Sequence, residues 1–147
     1  MINFEQQIQD EIERYQGPHQ SLIACAPHTY RLLTHLLDDP ELPSRFRPLV
    51  LVMVAYFLLP VDIISEDISG PRGYLDDLFL FAVMAQTIQQ ETGSAELLER
   101  SWEGPGSFQT FVSDILSQEQ DLIGDQREVI LWYTGFEHLL TGIKTQD

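Results

Sequence analysis

Five carboxylates crowd the middle of the chain: Asp62, Glu66, Asp67, Asp76 and Asp77, in a stretch that also holds Arg72 and Tyr74. Hard cations prefer oxygen ligands, so a loop that gathers Asp62, Glu66, Asp76 and Asp77 would suit Mg²⁺, Mn²⁺ or Ca²⁺. Water bound to such an ion is a hydrolytic nucleophile. Asp62 and Glu66 follow the C-terminal end of an apolar segment, where negative charge is disfavoured unless Arg72 or a metal compensates it. The plainer alternative is that these side chains cap and brace. Asp62 would then cap a short turn through Ile63 to Glu66, and Asp76 or Asp77 would cap or open the next helix, where negative charge is favoured. No regular ligand series of the EF-hand kind is present.

Other reactive side chains offer less. His28 and His35 are seven residues apart, too far for an i, i+4 zinc pair, and there is no second cysteine to complete a zinc site. Cys25 and His28 resemble a nucleophile and its base, but Pro27 lies between them and no orienting third group can be named; a small buried cysteine is expected. Neither a nucleophile elbow, a phosphate loop nor a dinucleotide fingerprint occurs. Sequence therefore leans away from an enzyme. Trp132, Tyr133, Phe136 and Phe108 fall on helical periods and are expected in the core. Trp102, beside Glu103 and the Gly104-Pro105-Gly106 turn, is the aromatic expected to be partly exposed and open to a partner.

The carboxylates are positioned by two apolar segments, Leu49 to Leu59 and Leu75 to Ala85. These predict a helical hairpin over 44–90, joined by an acidic loop over 60–77. The first segment has no polar face, so it is expected at the centre of the core. Ser44 is its expected N-cap, Pro48 fits its first turn, and Pro60 closes it. The connection is longer than usual between paired helices, and long ordered loops often carry function. Asp67, Arg72 and Tyr74 are thus candidates for contact with a partner.

Pro60-x-Asp62-Ile63-Ile64-x-Glu66, followed by Gly70-Pro71-x-Gly73-Tyr74-Leu75-Asp76-Asp77, resembles the YkvA-like family of small bacterial domains of unknown function. The approach Leu36-Leu37-Asp38-Asp39-Pro40-Glu41-Leu42-Pro43-x-Arg45 is similar too. Ser65 stands where that family usually has a second proline, and Arg72 where it usually has an apolar residue. The resemblance implies a helical hairpin domain and no established reaction.

Before the hairpin, Asn3 with Gln6 reads as a capping start to a helix carrying Phe4, Ile8, Ile12 and Tyr15. A second helix from His19 to Leu37 should kink or split at Pro27. After the hairpin, Thr92-Gly93 ends its second helix, and a short helix begins near Ser94. Ser107 caps a helix running to Gly124, and Asp125 with Glu128 opens a last helix weakened by Gly135 and Gly142. No strand-like alternation is present. An all-α fold follows, one domain over 1–147 with about seven helices around the hairpin.

The 147 residues carry a formal charge of −15 from 8 basic and 23 acidic residues. Such a charge repels nucleic-acid backbone and anionic lipid, so no nucleic-acid partner is expected. The lone cysteine fits a reducing compartment, and Met1-Ile2-Asn3-Phe4-Glu5-Gln6 has no signal-like pattern. A cytoplasmic location is expected. Leu49 to Ile64 would give roughly 24 Å of helix against about 30 Å of hydrocarbon, and Pro60 and Asp62 interrupt it. Membrane association of the hairpin is a lesser alternative. The leading expectation is a non-catalytic helical module that binds another protein; the carboxylate metal site is the first alternative. Sequence gives no oligomeric state.

Overall fold

The computed structural model describes residues 3–13, 16, 19–58 and 74–145. Its first helix, α1 (Phe4–Glu13), starts where Asn3 Oδ1 accepts the Gln6 amide at 3.0 Å, and it buries Ile8 and Ile12. Tyr15 lies outside the described residues. The second expected helix is split, as Pro27 requires. Helix α2 (Gln20–Ile23) ends at Ala24, and α3 (Ala26–Leu37) restarts with Pro27 in its first turn, where a missing N–H costs nothing.

A 3-10 turn (Ser44–Phe46) leads into α4 (Arg47–Leu58). Ser44 does not cap α4. It sits inside the preceding turn, which is itself entered from Pro43 without a side-chain cap. Pro48 is the second residue of α4, as its chemistry demands. The return helix, α5 (Tyr74–Thr92), has 19 residues and ends at Gly93. The acidic loop through residue 73, including the expected stop at Pro60, lies outside the described residues.

Centrality falls to α5 rather than α4. Every residue from Leu75 to Ala85 is buried, and α5 packs against α2, α3, α4, α7 and α8. Helix α4 packs on α3, α5 and α10 through Leu49, Val50, Met53 and Phe57, but its opposite side is uncovered: Leu51 is 51% exposed and Ala55 is exposed. A helix apolar all round thus reaches the surface on one side. Among the described residues, no helix is long and apolar enough to cross a membrane.

The C-terminal half is more broken than its hydrophobic periods predict. Helix α6 (Glu96–Glu99) follows Ser94, whose Oγ accepts the Glu96 amide at 3.1 Å. Ser107 caps α7 (Phe108–Ser117) through the Thr110 amide at 3.0 Å, but the helix expected to run to Gly124 breaks at Gln118 and resumes as α8 (Glu119–Ile123). Helix α9 (Arg127–Tyr133) begins after Gln126 with no side-chain cap, so Asp125 and Glu128 form no capping box; Asp125 instead accepts from Gln120 Nε2 at 3.3 Å. Gly135, at φ 79°, separates α9 from α10 (Phe136–Thr145), because that left-handed backbone ends a helix and suits glycine. The result is an all-α arrangement with no strand among the described residues and one connected apolar core.

Candidate functional site

Asp76 and Asp77 occupy the first turn of α5. Consecutive helical residues project about 100° apart, yet these two are only 3% and 6% exposed. Both directions are therefore enclosed. A buried carboxylate is costly unless it is hydrogen-bonded or paired. Two sources of compensation are in place. The first turn presents amides that lack helical partners and carries the positive end of the helix dipole. Asp76 Oδ1 accepts the Asp77 amide at 3.0 Å. No buried side-chain oxygen or nitrogen among the described residues lacks a hydrogen-bond partner. One turn further along α5, the guanidinium of Arg127 lies over the ring of Phe79, 5.3 Å from its centre, while its Nη1 binds Glu119 Oε1 at 2.5 Å. A cation over that buried ring ties the starts of α8 and α9 to α5.

Of the four residues expected to hold a metal, Asp76 and Asp77 stand side by side here, and Asp62 and Glu66 lie outside the described residues. Asp67 and Arg72 of the expected contact loop lie outside them too, while Tyr74 is the first residue of α5. Among the described residues no group of three or more His, Cys, Asp or Glu could hold a metal ion. Asp76 and Asp77 alone are two carboxylates, fewer groups than the oxygen-rich shell that a hard cation takes. Their place in the first turn fits the capping reading of this pair, which requires no ion.

Cys25 and His28 make no catalytic pair. The Cys25 thiol donates to the Ser21 carbonyl at 3.5 Å, and burial pushes its pKa up to about 11, the opposite of an activated nucleophile. His28 instead meets the edge of Trp102, with 6.2 Å between ring centres.

Trp102 is half-buried, in keeping with its expected partial exposure, whereas Trp132 leaves its expected place. Trp102 stacks on Phe111 at 4.6 Å and 22°, and meets Phe108 edge-on at 5.8 Å. Its indole N–H donates to the Gly106 carbonyl at 3.3 Å. Phe108 and Phe111 in turn contact Phe81 of α5, so the ring cluster runs into the centre of the core. The turn closes over the indole so tightly that a Cβ on Gly104 would stand 2.3 Å from Trp102 Cζ2. Arg31 and Glu103, paired at 2.8 Å, hold the outside of this corner.

Trp132, expected in the core, is 73% exposed, and Val129 one turn earlier on α9 is 48% exposed. The cause is the side of α9 from which Trp132 projects. This seven-residue helix buries one side only, through Ile130 and then Thr134 at its end, and Trp132 lies about 200° round the helix from Ile130.

These observations define an all-α domain with a buried acidic helix start and an exposed aromatic face. Residues 47–83, from the first residue of α4 into the middle of α5, match the model of a family described as "Protein of unknown function (DUF1232)". A relative from Methanothermobacter thermautotrophicus, named "Uncharacterized protein ORF9", is 22% identical over 129 residues, covering 88% of each chain. No solved structure matches.

Proposed function

We propose that this is a non-catalytic helical module of YkvA-like type, acting in the cytoplasm, that docks a protein partner through the Val129–Trp132 face of α9. The observation that carries this reading is Trp132 at 73% exposure beside Val129. A large rigid indole with an apolar neighbour is the kind of anchor that dominates protein interfaces, and an exposed tryptophan gains more from being covered than it gives up in side-chain freedom. The charge of −15 favours a partner with a basic rim around an apolar pocket and disfavours nucleic acid. The test places a photo-crosslinking amino acid at 132 and, separately, at the exposed position Ser113 in the native host. A discrete adduct at 132, absent at 113 and lost on Val129→Asp, is expected. Equal or absent crosslinking at both positions would reject the face as a docking site.

The burial of Asp76 and Asp77 favours a second reading, a divalent-cation site completed by Asp62 and Glu66. It is tested by thermal melts in chelator against Mg²⁺, Mn²⁺ and Ca²⁺ at matched ionic strength, since any divalent ion screens so acidic a chain. A saturable rise in Tm that Asp77→Asn removes is expected of a site. An equal rise in the variant would reject it.

A further inference from the structure

We draw no further inference here: the strongest candidate, the apolar strip of Leu51 and Ala55 on the uncovered side of α4, carries nothing because nothing in the structure shows what covers it.

Discussion

Trp102, expected to be partly exposed, is half-buried, whereas Trp132, expected in the core, stands largely in solvent. Trp102 adjoins a glycine-rich turn, yet it is stacked on Phe111 and hydrogen-bonded to the Gly106 carbonyl. Trp132 lies in a run of apolar residues, Val129 to Tyr133, yet stands largely in solvent. The turn beside Trp102 folds back over one side of the ring, because Gly104 has no side chain to obstruct the indole, and leaves Trp102 half-buried. Trp132 projects from α9 about 200° away from the buried Ile130. Exposure is thus decided by local geometry, a missing Cβ in one case and the side of a helix in the other.

The sharpest way to break this comparison is truncation. Trp102→Ala should cost about 3 kcal/mol, the low end for a large aromatic because the ring is only partly buried. Trp132→Ala should stay within ~0.5 kcal/mol, as surface changes do. Urea unfolding of the two variants measures both, and equal losses would erase the distinction. Gly104→Ala comes next. Its new Cβ would collide with a ring held on its far side by Phe111, so an overpacking loss of about 1–3 kcal/mol is expected. Under the same substitution Trp102 fluorescence should shift while Trp132 emission stays unchanged. Ser107→Ala, which removes the cap that starts α7 beneath Trp102, should cost about 1 kcal/mol in the same assay.

The smallest effect concerns charge. Hydrogen bonding from Arg100 holds the Asp39 carboxyl below its ordinary range, and Arg100 also binds Glu41 at 2.6 Å. Because folding lowers this pKa, Asp39 favours the native state above the pKa of the unfolded chain, and that contribution fades as pH falls through the folded value. Arg100 is exposed and Asp39 half-buried at the surface, where water screens the pair, so its effect on stability is small. In Arg100→Met the Asp39 titration, followed by NMR, should return toward the ordinary carboxylate value. An unmoved titration would show that Arg100 is not the cause.

Helix identity was largely legible in the sequence, because caps and breakers act locally. Asn3 and Ser107 bond the amides three residues on, and Pro27 divides its helix where the missing N–H demands. Relations among helices were less legible. Leu49 to Phe57 of α4 and Leu78 to Ala85 of α5 both lack a polar face, but only the second run is buried throughout, a property of its neighbours rather than of its own residues. Likewise Gln118 and Gly135 divide two hydrophobic runs whose periodicity continues across the breaks. Of the candidate carboxylates, the adjacency of Asp76 and Asp77 was visible in the sequence. Their joint burial was not, since it depends on α5 lying at the centre of the core.

Tryptophan emission in the two single-tryptophan variants tests the central contrast most directly. Acrylamide is the quencher of choice because it is neutral, whereas iodide would be repelled by the chain's charge. With Trp102→Phe, the remaining Trp132 should emit at long wavelength and be quenched readily. With Trp132→Phe, the remaining Trp102 should emit at shorter wavelength and resist quenching. A protected Trp132 together with a freely quenched Trp102 would contradict the account and remove the proposed docking face with it.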